Sequence, residues 1–388
     1  MTSSFDTLYD RRPTDSVKWN YYPPDVLPMW VADMDFAVPL AVTRALRERI
    51  EHPIFGYSLP SAGLVETIQA YLDRRYGWQV DAEAIVIIPG VVVGFNLAAQ
   101  ALAKPVSKLV IHTPAYPPFF AAAENAALEL AGVDLVQDAA GIYRVNWGKF
   151  EAAIADHAGL FLLCNPQNPV GRVFDRDELT RMAEICAHYG VPICADEIHA
   201  DIVYSGHCHT PIATLSPEIG TNTVTLMAPS KTFNIPGLEF SFAIIPNPDL
   251  RAKFNQTRRG LVGAPNLLGM TAAKAAYAEG QTWLEELLEY LEGNRDFLVE
   301  FVKNRLPAAK MTLPEGTYLA WIDLNAYHLQ PTPGKFLLEN ARVGLNEGTD
   351  FGGAGKGFVR FNFACPRQTL LEGLNRMQRA LENISTKT

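Results

Sequence analysis

The chain has 388 residues, 48% of them hydrophobic, and a formal charge of -9. That length suggests a large and a small domain around a sizeable core, and an acidic balance without any basic run excludes a nucleic-acid-binding surface. No apolar run approaches the ~20 residues that cross a bilayer, so no membrane is expected as a partner either.

The opening Met1 to Asp6 carries no basic run followed by an apolar one, so no secretory leader is expected. The cysteines (Cys164, Cys186, Cys194, Cys208, Cys365) are scattered and odd in number, which fits neither a disulfide framework nor a zinc spacing. Cys164 and Cys194 lie in apolar strands and read as inert core. The expected setting is the reducing cytoplasm.

In chain order, residues 1–40 are rich in Pro, Trp and Tyr and read as an irregular arm. Pro39 to Ile50 reads as a helix with proline near its first turn, His52 to Gly63 as a loop, and Leu64 to Tyr76 as an amphipathic helix. An alternation of strands and helices follows. Its strands are Ile85–Ile88, Leu109–His112, Leu128–Val133, Leu160–Cys164, Pro192–Ala195, Thr223–Leu226 and Phe240–Ile245. Its helices are Val92–Ala103, Phe119–Ala127, Trp147–Ala155 and Asp177–Tyr189. Gln281 to Lys303 reads as a long amphipathic helix leading to a second domain, with strands near Thr317–Ile322 and Gly357–Phe363 and a final helix from Arg367 to Ile384.

Such alternation predicts an α/β sheet, mostly parallel, between helices, with ligands beyond the carboxyl ends of its strands. The distinctive polar and glycine residues fall at those ends: Gly90, Tyr116, Asn168, Asp196, Ser230 and Lys231. Lys231 follows the apolar strand Thr223–Leu226 and precedes the turn Pro236-Gly237. A lysine withdrawn from water there has a lowered pKa and a nucleophilic amine, as a Schiff-base lysine needs. From that stretch alone, an ordinary surface lysine is an equal reading.

The motifs, taken together and in order, resemble fold-type I pyridoxal-phosphate enzymes of the aspartate aminotransferase superfamily. The nearest resemblance is to its MalY/PatB group of carbon–sulfur β-lyases. The residues that carry it are Val31-Ala32-Asp33-Met34-Asp35-Phe36, Phe55-Gly56-Tyr57-Ser58, His112-Thr113-Pro114-Ala115-Tyr116 and Pro166-Gln167-Asn168-Pro169. They continue with Asp196-Glu197-Ile198-His199, Ser230-Lys231-Thr232-Phe233-Asn234-Ile235-Pro236, and Phe358-Val359-Arg360 before Cys365-Pro366-Arg367.

The resemblance implies pyridoxal 5'-phosphate as cofactor, held by Lys231. Asp196 matches the carboxylate beside the pyridine nitrogen, Asn168 the partner of the phenolic oxygen, and Tyr116 the aromatic stacked on the ring, which with Lys231 counts as catalytic. The phosphate falls to the amides of Val91 and Val92, to the Ser230 hydroxyl, and to Tyr57 reaching from the neighbouring subunit, which implies a homodimer with shared active sites. Arg360 matches the arginine that grips the substrate α-carboxylate, with the Ala32 amide assisting. Each has a plainer reading: a helix N-cap for Asp196, an Asn-Pro turn for Asn168, a surface strand arginine for Arg360.

Two positions depart from the wider superfamily pattern. Where many members carry a phosphate-binding arginine, eight positions after the lysine, this chain has Glu239. Where many aminotransferases place a tyrosine, three after the aspartate, it has His199, as the MalY-like group does. His199 is taken as a cofactor neighbour or else a structural histidine.

The resemblance implies a large cofactor domain over 45–285 and a small α+β domain from 1–44 and 286–388. The expected reaction is β-elimination from L-cystathionine, L-cystine or another sulfur amino acid to thiol, pyruvate and ammonia, within amino-acid metabolism and methionine biosynthesis. An aminotransferase on the same scaffold is the alternative enzyme, and a regulatory partner-binding protein the alternative of another kind.

Overall fold

Runs of buried apolar residues build the central sheet of the computed structural model, which describes residues 4–104, 106–263 and 265–385. The strands are β1 (Ile85–Ile88), β2 (Lys108–Thr113), β3 (Glu129–Asp134), β4 (Ala158–Cys164), β5 (Ile193–Asp196), β6 (Thr223–Met227) and β7 (Ser241–Ile244). They stand in the order β1-β7-β6-β5-β4-β2-β3. β7 runs antiparallel to both β1 and β6, and the other neighbours pair in parallel. Every residue of β6 is buried, as a strand covered on both faces requires. The expected α/β sheet is therefore present, mixed and mostly parallel. Nothing in a uniformly buried strand such as β7 encodes its direction.

Besides the helix Pro118–Asn125 and single turns, the helices are α1 (Leu40–Glu51), α2 (Leu64–Tyr76), α3 (Val91–Leu102), α4 (Trp147–Ala155), α5 (Arg176–His188), α6 (Pro248–Arg258), α7 (Leu267–Glu279), α8 (Gln281–Arg305), α9 (Pro333–Asn340) and α10 (Arg367–Ser385). One sheet face packs against Phe95 of α3 and Phe254 of α6, the other against Phe150 of α4 and Met182 of α5. α3 lies close to the strands because Gly94 has no side chain. A Cβ there would come within 2.7 Å of Ile88 and 2.8 Å of Leu226.

The second sheet holds β8 (Lys310–Met311), β9 (Leu319–Asp323), β10 (Asn346–Glu347) and β11 (Phe358–Asn362), in the order β8-β9-β11-β10 and antiparallel throughout. Arg360 of β11 stands opposite Trp321 of β9 and Asn346 of β10.

The first 40 residues are more ordered than their composition suggests. They hold a one-turn helix, Val17–Asn20, and a short strand, Leu27–Pro28, paired in parallel with Val343–Gly344. The sequence reading also passed over α6, α7 and α9. α7 buries Met270, Ala273, Ala276 and Tyr277 on several sides, so it shows no two-faced pattern.

Candidate active site

Lys231 sits where the sequence reading put it. β6 ends at Met227, Ala228 is extended, and Pro229 opens a one-turn helix, Pro229–Thr232. The Lys231 amine donates to the Ala32 carbonyl at 2.6 Å. Burial and the Arg360 cation pull its pKa down to about 8, against the pull of Asp33 and Asp196.

Asp196 closes β5, in register between Cys164 and Leu226. Its Oδ1 accepts from the Ile198 amide at 3.1 Å, and it forms no ion pair among the described residues. Burial pushes its carboxyl up to about 7. The next residue, Glu197, is used structurally: it pairs with buried His209 at 2.9 Å and accepts from the Ile212 amide. His199 is buried with Nδ1 unpartnered among the described residues. Burial first, then Lys231 and Arg360, hold its imidazole well below its usual range, so it is neutral at pH 7.

Arg360 is 4% exposed. Its Nη1 donates to Asn168 Oδ1 at 3.1 Å, and its Nη2 to Asn346 Oδ1 at 2.7 Å and the Trp30 carbonyl at 3.0 Å. Its guanidinium carbon lies 4.9 Å from the Phe351 ring centroid. Burial lowers its pKa to about 10, so it stays charged with amide and carbonyl partners rather than a carboxylate. Arginine only donates, so its contact fixes the Asn168 amide with Oδ1 toward Arg360 and Nδ2 turned elsewhere.

The arm segment 30–36 closes the site and is clamped from several sides. Asn362 donates to the Val31 and Asp33 carbonyls at 2.6 and 2.7 Å. Asn234 accepts from the Met34 amide and donates to the Met34 and Phe36 carbonyls. Arg11 and Lys18 pair with Asp33 and Asp35, and Lys18 is 1% exposed.

A cavity of about 590 Å³ lies at the end of the large sheet. Into it face Lys231, Asp196, Arg360 and Asn168, and around them Tyr116, His199 and Ser230. Ala32 forms part of one wall, and Val91 and Val92 form another where α3 begins. The N-cap of α3, Gly90, offers no side chain to the helix amides, which leaves them open to an anion.

The aminotransferase class I and II family model matches residues 24–377. The chain belongs to the class I and II aminotransferase family. It is 40% identical to the cystathionine beta-lyase PatB of Bacillus subtilis, over 97% of this chain and 100% of that one. Its structure is similar to that of cystalysin from Treponema denticola, which contains a pyridoxal 5'-phosphate cofactor (TM-score 0.95, 32% identity, 99% of this chain and 100% of the other). It is also similar to the PLP-bound C-S lyase from Staphylococcus hominis (TM-score 0.93, 33% identity, 98% and 99%).

In this family member, ten of the sequence-selected residues meet at the cavity: Ala32, Val91, Val92, Tyr116, Asn168, Asp196, His199, Ser230, Lys231 and Arg360. Tyr57 stands apart, fully exposed on the loop before α2. For Ala32 the engaged atom is the carbonyl, which accepts from both Lys231 and Tyr318. Cys164 is not simply core: it lines the cavity, although burial pushes its thiol well above the usual range and keeps it unreactive.

Glu239 also lines the cavity, with a left-handed φ of 50°. It does so because β7 is antiparallel, which brings the start of that strand to the edge where the other strands end. The sequence reading missed Trp30, Asn346 and Tyr318. Trp30 adjoins a quoted motif; Asn346 and Tyr318 come from the second sheet and its approach, which no strand-end rule covers.

Proposed function

We propose that this chain is a pyridoxal-phosphate-dependent carbon–sulfur β-lyase, which cleaves L-cystathionine or related cysteine S-conjugates to thiol, pyruvate and ammonia. The observation that carries the reading is one cavity holding an amine at Lys231, a carboxyl at Asp196 and a guanidinium at Arg360, the last two in no ion pair among the described residues. The cystathionine β-lyase and C-S lyase relatives support the lyase over an aminotransferase.

The residues fit the cofactor. Asp196 is a buried carboxylate that lacks a cation, and the open start of α3 suits a phosphate with Ser230 beside it. When bound, the cofactor supplies the sink for the electron pair left at the substrate's α-carbon. Asp196 holds a proton on the pyridine nitrogen. Beside that positive nitrogen the Asp196 carboxyl, raised to about 7 by burial, would favour its ionised form. Asn168 would offer Nδ2 to the phenolic oxygen, because Oδ1 is taken by Arg360. Tyr116 covers one ring face.

Arg360 grips the α-carboxylate in a planar fork, which turns the α-hydrogen toward Lys231. Lys231 would anchor the cofactor, and its amine when free would take the α-proton as general base. A thiolate then leaves from the β-carbon readily, because its conjugate acid has a pKa near ~8.5 against about 16 for water. We further propose the division into a large domain over 45–285 and a small domain from both termini. The active form is a homodimer with Tyr57 lent across the interface, and the unpaired cysteines suit the cytoplasm.

A panel of cysteine conjugates assayed for pyruvate, beside alanine and keto-acid exchange, tests the reading. Cystathionine or S-alkyl cysteine should give pyruvate quickly, serine slowly and alanine none. Exchange of amino groups that outruns pyruvate release from every thioether would favour the aminotransferase.

A further inference from the structure

Thr317 has a φ of +65° although it is β-branched and fully buried. Side chains of that shape avoid the left-handed region, so the surroundings must impose it. They do so through its amide, which donates to the Ile202 carbonyl at 2.8 Å, its carbonyl, which accepts from the Tyr204 hydroxyl at 2.6 Å, and its Oγ1, which accepts from the Leu319 amide at 3.2 Å. The imposed turn sets the next residue, Tyr318, just before β9. Tyr318 is 1% exposed, its ring meets His199 edge-on at 5.9 Å, and its hydroxyl donates to the Ala32 carbonyl at 2.9 Å. That is the oxygen on which the Lys231 amine rests at 2.6 Å. Burial keeps the phenol protonated, so toward this oxygen it remains a donor.

We propose that Tyr318 is a positioning residue for Lys231: by sharing the Ala32 carbonyl it parks the freed amine beside the cavity and keeps that amine easy to deprotonate. A carbonyl has two lone pairs, and the phenol occupies one, which leaves Lys231 a single direction of approach. A carbonyl that accepts from an ammonium favours the charged form, and a second donor on the same oxygen weakens that preference. The freed lysine is then held within reach of the α-proton without being locked as an ammonium. The inference rests on the reading of Lys231 as general base.

The test is wash-out of the α-proton of alanine into deuterated water, followed by NMR across pH with wild-type and Tyr318→Phe holoenzyme. Phenylalanine keeps the ring against His199 and removes only the hydroxyl. The acid-side midpoint of the exchange rate should rise by about half a pH unit or more in the variant, because Lys231 then holds its proton more tightly. Alanine affinity by absorbance titration and cofactor retention on dialysis should be unchanged. A lower rate with the midpoint fixed would mean a purely structural tyrosine and overturn the proposal. Absence of any exchange in the wild type would overturn the general-base reading itself, and this proposal with it.

Discussion

Arg360 is buried and charged, and its protein partners are an asparagine on either side and a backbone carbonyl. A buried cation lacking a counter-charge is unfavourable unless a ligand supplies one. Losing its charge-assisted grip removes roughly 1.5–3 kcal/mol, so Arg360→Ala should lose on the order of 10- to 100-fold in kcat/KM for cystathionine. Arg360→Lys should not restore it, because one ammonium cannot span both asparagines and a carboxylate. His112 has a different use. It lies among Phe150, Phe161 and Phe174, with neither ring nitrogen in a well-formed hydrogen bond among the described residues, and burial, against a weaker pull from the Val133 backbone, lowers its pKa to about 4. The folded state therefore binds this proton more weakly than the unfolded chain. The stability tied to a neutral His112 is complete above about pH 6.5, is lost as pH falls from there toward 4, and amounts to about 3 kcal/mol. His112→Phe should flatten that part of a melting-temperature profile against pH, and an unchanged slope would rule the histidine out as its source. Sequence marked Lys231, Asp196, Asn168 and Arg360 because each sits in a short motif. It gave His112 no role of its own, since its aromatic cage comes from another strand, a helix and a loop that only the fold brings together.

At the scale of elements, the sequence reading began α5 at Asp177, one residue late, and passed over its cap. Asp175 caps α5: its side chain accepts from the Glu178 amide at 2.8 Å, and Glu178 returns a bond to the Asp175 amide. Asp175→Ala should cost about 1 kcal/mol, seen as a lower melting temperature, with kcat/KM unchanged because α5 lies on the sheet face rather than at the cavity. A loss of activity at full stability would contradict that separation. Strand ends were legible, because Pro and Gly punctuate them and the residues beyond are polar. The direction of β7 was not, and with it went the explanation for Glu239 at the cavity. α6 and α7 were hidden for opposite reasons: α6 buries only Phe254, whereas α7 is buried on several sides. The arm's order was hard to see because its ties to the rest of the molecule run to Asn234, Val343 and Asn362, all more than a hundred residues away along the chain.

For the whole molecule, the loop before α2 poses the remaining question. Tyr57 is 112% exposed, and Ile54, Phe55 and Leu59 around it are also exposed. Four large apolar side chains on one loop suit an interface better than water. In a two-fold dimer each chain would lend this loop to the other's cavity, which ends in the open start of α3 and Ser230 but carries Glu239 where the wider superfamily often has an arginine. Such a contribution is legible only through family resemblance, because within one chain Tyr57 is fully exposed. The decisive measurement mixes two inactive proteins. Lys231→Ala supplies an intact Tyr57, and Tyr57→Ala supplies an intact Lys231. After subunit exchange, a mixed dimer has one site with both residues intact and one with neither. Equal mixing makes half the dimers mixed, so about a quarter of the wild-type sites should return. Activity that stays at the level of the separate mutants, once exchange has been verified by differently tagged chains, would place Tyr57 and Lys231 in the same subunit's site.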